Sequence, residues 1–265
     1  MKYLGGKQRL GKHLAPFLKK LIAKMSQCNG YIEPFCGSCG VLKNMTNDLS
    51  LKKIIANDYH PDLIQMWKEV KAGTFVYPES ISEEEYFAAK ALPSPNGYKS
   101  FVGFGMSFGG RYFGAYAHKY INAKKEDFCK EMVHSLHRTA PLIKDVEFTN
   151  ILYQDCVNEE TTDMFIYCDP PYAYTKYPIK YRRDVKHYDT FDTAAFWETV
   201  RKWSKNNVVV VSEIVAPPDF KEIWNMDRYR SACQSAKTGK KNVAEDDDFI
   251  KSEKLFIWSE SNFVF

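Results

Sequence analysis

Apolar and polar positions follow two rhythms along this chain, one of helical period and one of short continuous apolar runs. From Gln8 to Met25 the residues Leu10, Leu14, Phe17, Leu18, Leu21 and Ile22 recur at helical spacing with lysines on the other face, which predicts a helix. Gly30 to Glu33 reads as a strand, Pro34 to Gly40 as a turn, and a helix begins near Val41. A second strand, Lys53 to Ala56, ends in Asn57-Asp58, and a helix follows from Pro61 to Val70. After Gly73 the rhythm breaks. Ser80 to Leu92 predicts a helix, with Ser82 and Glu85 in capping-box spacing. Pro93 to Gly97 is turn-rich, Phe101 to Ala117 is a glycine and aromatic stretch without clear period, and Lys125 to Ile143 is helical again.

The alternation resumes with strands at Val146 to Thr149 and Met164 to Cys168, a helix around Ala194 to Lys205, and a strand at Val208 to Val211. Two last strands, near Tyr229 to Ala232 and Lys254 to Trp258, close the sheet as a hairpin. Strand–helix alternation of this kind predicts a doubly wound, mostly parallel α/β sheet. The expected division is residues 1–73 and 145–265 in one domain, with residues 74–144 inserted into it.

At 265 residues and 45% hydrophobic, the chain is long enough for one large domain carrying an insertion. A net charge of +4 permits a polyanionic partner without requiring one. No apolar run reaches membrane-spanning length, and the Met1 to Gly6 start has no signal-peptide character. The seven cysteines show no framework spacing, which fits reduced thiols and a cytoplasmic setting. Cys36 and Cys39 form a C-x-x-C with no second pair and no nearby His, so no metal is expected.

Candidate chemistry concentrates where strands end. The apolar run Met164 to Cys168 stops abruptly in Asp169-Pro170-Pro171-Tyr172, at the strand end where open α/β sheets bind ligands. Neither proline has an N–H to donate, and their rings fix the turn so that carbonyls face outward. Asp169 and a proline carbonyl are then two acceptors beside the ring of Tyr172, a set that suits a planar group carrying an NH2. An ordinary strand-ending turn accounts for the tetrad as well, since Asp-Pro and Pro-Pro are common turn signals. The turn after the first strand carries Gly37 and Gly40, where a ligand can approach the backbone and a following helix N-terminus can meet an anion. A dinucleotide fingerprint would need a third glycine, which disfavours a NAD site. Asp58, at the end of the next strand, suits either the hydroxyls of a ribose or a helix cap.

Together these residues resemble the Dam-type, N6-adenine-specific DNA methyltransferases, and Phe104 to Tyr116 looks most like their phage-borne members. The resemblance spans essentially the whole chain, with several motifs in the family's order. Lys2-Tyr3-Leu4-Gly5-Gly6-Lys7 looks like the N-terminal aromatic-x-Gly-Gly-Lys signature, and Glu33-Pro34-Phe35-Cys36-Gly37 like the loop for S-adenosylmethionine (SAM). Asn57-Asp58 stands where the ribose-binding acid stands, Gln154-Asp155-Cys156 resembles the segment that meets the SAM adenine, and Asp169 to Tyr172 is the catalytic tetrad. Tyr188 to Phe191, Val211-Ser212-Glu213 and Ser107 to Arg111 resemble further family segments. One departure is Cys39, where the family usually has its second glycine; it predicts a slightly different turn.

The resemblance implies a Rossmann-like SAM-dependent methyltransferase fold with a mostly helical inserted target-recognition region. It implies site-specific methylation of adenine N6 in double-stranded DNA after base flipping. Asp169, Pro170, Pro171 and Tyr172 would hold the target base. Tyr3, Gly6, Lys7, Glu33, Pro34, Phe35, Cys36, Gly37, Ser38, Asp58, Tyr59, Asp155, Cys156 and Asp169 would line the SAM site. Cationic and aromatic residues suited to DNA are Arg111, Tyr112, Lys119, Arg182, Arg183, Lys237, Lys240 and Lys241, although a solvated face explains the first run equally well. The setting implied is bacterial, or the host cell of a virus or mobile element, with a cognate restriction endonuclease as a conceivable partner and a monomer or weak dimer as the active form. The tetrad alone also fits cytosine N4, an RNA base or a glutamine side chain as acceptor, and a non-catalytic nucleic-acid-binding relative would share the fold.

Overall fold

The structure, a computed structural model, describes residues 1–46, 51–117, 120–121, 124–125, 127–171, 191–229, 250–261 and 263. The chain divides into two compact units, Met1–Ile166 and Tyr167–Phe265.

In the first unit, α1 (Gly11–Ile22) buries Leu14, Leu18 and Leu21, the face that the helical spacing predicts. Next come β1 (Gly30–Glu33), α2 (Leu42–Met45), β2 (Ile54–Asn57) and α3 (Pro61–Ala72). Further along are β5 (Glu147–Thr149) and β6 (Met164–Cys168), the last of which continues into the second unit. Every residue of β1 and β6 is buried, which is why β6 reads as an unbroken apolar run rather than an alternating one. The four strands are parallel: β2 pairs with β1 and β5, and β6 pairs with β1 through Gly30↔Met164, Tyr31↔Phe165 and Ile32↔Ile166. The order β5-β2-β1-β6 means that the chain winds outward from β1 and then returns to its other side. That reversal is the Rossmann-like feature. The predicted α/β class and its parallel core are borne out.

Between α3 and β5 lie α4 (Glu83–Lys90), α5 (Gly97–Gly105), the short antiparallel pair β3 (Tyr120–Ile121) and β4 (Lys124–Lys125), and α6 (Phe128–Thr139). The capping box at α4 forms as predicted: Glu85 N–H donates to Ser82 Oγ, and Ser82 N–H to the Glu85 carboxylate. Helix α5 was not expected. It falls within a stretch of glycines and aromatics, and nearly every residue from Gly97 to Gly105 is buried, so no polar face betrays a period. Its glycines exist for contact. A Cβ on Gly103 would sit 2.4 Å from the Tyr112 ring and 2.6 Å from that of Phe113.

The second unit holds α7 (Thr193–Trp203), β7 (Val208–Glu213), β8 (Phe220–Tyr229) and β9 (Ile250–Trp258). Strand β9 runs antiparallel to both β7 and β8. Of the expected strand near Tyr229 to Ala232, all but Tyr229 lies outside the described residues; β8 starts earlier, at Phe220, where polar residues such as Lys221, Glu222 and Asn225 interrupt the apolar pattern. Arg201 fastens α7 to the start of β8, with Nε and Nη2 donating to the two carboxylate oxygens of Asp219 at 2.6 and 2.8 Å.

Gly103→Ala is expected to destabilise the chain by about 1–3 kcal/mol, the usual cost of overpacking, read from the urea midpoint.

Candidate active site

The C-terminal edge of the parallel sheet is organised by two adjacent residues at the end of β2. Asn57, 1% exposed, donates through Nδ2 to the carbonyls of Pro34 and Ile151, each at 3.1 Å. Its Oδ1 accepts from Thr149 Oγ1 at 2.9 Å and from the Ile151 N–H at 3.0 Å. One amide thereby joins the loops that leave β1 and β5. Sequence reading missed this role, and the signal available was an Asn immediately before a strand-ending acid.

Asp58 follows, and its carboxylate is held by backbone donors: Gly37 N–H to Oδ2 and His60 N–H to Oδ1, both at 2.9 Å. Burial raises its pKa from 3.8 to about 6 despite these two bonds. Gly37 is held from its other side, where Trp67 Nε1 of α3 donates to its carbonyl at 2.9 Å. Asp58 thus shapes the loop after β1 and is not the cap of α3. His60 fills that position, its Nδ1 accepting from Leu63 N–H at 3.4 Å. The N–H groups expected at the next helix are few, because α2 is a single turn of four residues.

The glycines of this loop serve close approach to the N-terminal segment. A Cβ on Gly40 would lie 2.8 Å from the Lys7 carbonyl carbon, and one on Gly37 3.1 Å from the Tyr3 ring. Gly6 comes equally near, 2.8 Å from Ser38 Oγ, and Gln8 Nε2 donates to the carbonyl and hydroxyl of Ser38 at 2.8 and 2.9 Å. Tyr3, Gly6 and Lys7 are therefore brought together with Gly37, Ser38 and Gly40. Lys7 is 5% exposed. Cys39 takes φ +55°, the left-handed conformation that glycine adopts most easily, at a cost of about 1–2 kcal/mol. Cys36 and Cys39 are both buried, and burial raises both thiol pKa values, which leaves them inert packing groups.

Glu33 is buried and accepts from Tyr31 Oη at 2.6 Å. Beyond Pro34, the Phe35 ring lies 5.2 Å from that of Tyr153, which opens the 3-10 turn carrying Asp155 and Cys156. Asp155 is exposed; the Cys156 thiol is pushed up to about 12 by burial and then by Asp155. Tyr59, Ile151 and Leu152 are exposed apolar groups next to the residues that Asn57 and Asp58 hold.

In the second unit, Asp169 and Pro171 are half-buried and Pro170 buried, directly after the last residue of β6. Ser212 and Glu213 end β7; the Ser212 hydroxyl is bonded to the buried carboxylate of Glu253 on β9, a residue that sequence reading did not single out. Tyr172, Lys119, Arg182, Arg183, Lys237, Lys240 and Lys241 lie outside the described residues. Of the residues expected to meet DNA, Arg111 is half-exposed. Tyr112 is turned inward: its hydroxyl donates to Asp62 at 2.6 Å and its ring packs on His60, Phe104 and Phe113. Among the described residues no group of three or more His, Cys, Asp or Glu could hold a metal, and no helix is long and apolar enough to cross a membrane.

Comparison with known proteins gives one family match. Residues 3–100 match the family model described as D12 class N6 adenine-specific DNA methyltransferase. The matched span runs from Tyr3 through the β1 loop and Asp58 into α5, somewhat over a third of the chain. A solved structure from Haemophilus influenzae, described as a candidate methylase, aligns over 97% of this chain and 92% of its own at 10% identity and a TM-score of 0.37. A likeness that loose decides nothing about this chain. No curated protein matches it.

Asp58 and His60 give opposed pH dependences. Asp58 has a folded pKa near 6, above its ordinary 3.8, so its contribution is full at low pH and is lost as pH rises through 6. His60 has a folded pKa near 4, lowered from 6.5 first by burial, so its contribution is lost as pH falls through that range. The two offset each other in the wild type. His60→Asn, which keeps a capping side chain, is expected to uncover the Asp58 slope: a loss on the order of 2 kcal/mol as pH rises from about 4 to 6, read from urea midpoints. A midpoint independent of pH in that variant would refute the assignment.

Proposed function

We propose that the chain binds SAM and methylates N6 of adenine at a specific site in double-stranded DNA, after flipping the base from the duplex. The observation that carries the reading is a strand-ending acid followed by two prolines, Asp169-Pro170-Pro171, on a chain whose first hundred residues carry the adenine-methyltransferase match.

The residues present fit SAM. The Asp58 carboxylate accepts one backbone bond on each oxygen and retains lone pairs for a ribose diol. The exposed Tyr59, Ile151 and Leu152 offer apolar surface for a purine, and Asp155 is an exposed acceptor for its amino group. Lys7 would pair with the carboxylate of the amino-acid end and Tyr3 would pack beside it. Gly6, Glu33, Pro34, Phe35, Cys36, Gly37, Ser38 and Cys156 would complete the lining. When bound, SAM supplies a methyl group already made electrophilic by its sulfonium.

The chain's own task is then to prepare the amine. The amino nitrogen of adenine is a poor nucleophile because its lone pair is delocalised into the ring. Asp169 and the Pro170 carbonyl would each accept one of its hydrogens, draw the nitrogen toward sp3 geometry and localise that pair, while Tyr172 stacks on the base. Flipping costs a few kcal/mol, which stacking and these bonds offset. Arg111, Lys119, Arg182, Arg183, Lys237, Lys240 and Lys241 would hold phosphates, with residues 74–144 reading the target sequence. The setting is the cytoplasm of a bacterium or of a virus's host.

Incubation of labelled SAM with unmethylated genomic DNA, followed by nucleoside mass spectrometry, should show N6-methyladenine in a short recurring motif. N4-methylcytosine or no methylated nucleoside would overturn the adenine reading. Asp169→Ala and Tyr172→Ala are each expected to lower kcat by at least about 10³-fold, within the range for loss of groups that act on the transferred centre. Unchanged thermal unfolding of both variants would show that the loss is chemical.

A further inference from the structure

The turn that presents Arg111 is fixed to the same residues that shape the loop after β1. Gly110 has φ +67°, and a Cβ there would lie 2.5 Å from the Tyr3 nitrogen and 2.7 Å from the Lys2 carbonyl carbon. Leu4 N–H donates to the Gly110 carbonyl at 3.1 Å. The adjoining Tyr3 packs its ring 4.9 Å from that of Phe104 and against Gly37. A second tether runs through Asp62, on the first turn of α3 and 2% exposed. Its carboxylate accepts from Tyr112 Oη at 2.6 Å, Ser94 Oγ at 2.8 Å and Asn96 N–H at 2.7 Å. The same helix start carries His60, whose N–H holds Asp58 and whose ring meets Tyr112 edge-on at 4.4 Å.

We propose that Gly110 and Asp62 are positioning residues that join the Arg111 turn to the cofactor loop, so that binding of DNA and binding of cofactor strengthen each other. The inference rests on the function proposed above. Its physical basis is that neither element can shift alone. Displacing the turn pulls on the backbone of Tyr3, which covers Gly37, and on the start of α3, which fixes Asp58 and thereby Gly37 N–H. A ligand that orders either end lowers the ordering cost at the other, and linkage makes the gain equal in both directions. Tyr112 is then the link between the two sides and not a DNA contact, which explains a hydroxyl committed to a buried carboxylate.

The test uses S-adenosylhomocysteine, which cannot donate a methyl group, titrated calorimetrically into the full chain with and without saturating unmethylated duplex DNA. Wild type is expected to bind it about 10-fold more tightly with DNA present. Gly110→Ala and Asp62→Asn should reduce that factor to about 2-fold or less, and Tyr112→Phe, which removes one hydrogen bond and keeps the ring, should reduce it in part. A purely structural role would lower the melting temperature and leave the factor intact. Equal affinities with and without DNA in wild type, or the full factor in Tyr112→Phe and Asp62→Asn, would overturn the proposal. If Gly110→Ala does not fold, Tyr112→Phe decides. No binding by wild type under any condition would instead sink the proposed function, and this inference with it.

Discussion

The last residue of β2 and the acid that follows it carry the constraint on which the site depends. A parallel sheet leaves several chain segments at its C-terminal edge with backbone groups that need partners. Asn57 answers this with one side chain that both donates and accepts: it binds the loop after β1 through Pro34 and the loop after β5 through Ile151. Asp58 adds the anion, and its two backbone donors close the β1 loop against the start of α3. Loss of one partner would strand buried polar groups at about 1–3 kcal/mol each, so these bonds define the loop more sharply than local propensity can. Left-handed φ at Cys39 persists for the same reason, its strain held by the surrounding contacts.

The N-terminal segment is best understood from what the glycines touch. Glycines in a turn after the first strand of a Rossmann-like sheet suggest a ligand against the backbone. In this chain Gly37, Gly40 and Gly11 are spent on contacts between protein segments, with Gly11 and Gly40 so close that a Cβ on Gly11 would fall 2.1 Å from the Gly40 carbonyl oxygen. The N-terminal signature and the loop after β1 are therefore one structure made from two pieces of chain. Neither motif fixes its geometry alone, which is a physical reason for their joint presence.

Most of the parallel core was legible because burial on both faces writes itself into sequence as uninterrupted apolar runs. Tyr31, Ile32, Phe165 and Ile166 are all fully buried and adjacent in register. Helix α5 was illegible for a related reason: burial all round erases the 3.6-residue period, and its glycines mimic loop composition. The start of strand β8 was hidden by polar residues that interrupt its apolar pattern. The candidate site was legible at the level of residue type, since acids and glycines at strand ends are local signals. Three-dimensional roles were not. Sequence reading takes Asn57 only with its neighbouring acid, Tyr112 as one of a cationic and aromatic run, and Glu253 not at all, because each acquires its partner from a distant segment: Asn57 from Thr149 and Ile151, Tyr112 from Asp62, Glu253 from Ser212.

On the proposed reading, the distribution of titratable groups also says how the chain would accelerate transfer. The described residue best suited by type to proton transfer beside Asp58 is His60, and it is buried, lowered to about 4, and occupied as the cap of α3. It is placed to hold backbone and not to move protons. General acid–base help is typically worth about 10²–10⁴-fold, whereas alignment of reacting groups can supply about 7–11 kcal/mol. A reaction whose methyl donor is already activated needs the second far more than the first. The investment in Asn57, Asp58, Asp62 and close-packed glycines is an investment in alignment, made with groups that hold position.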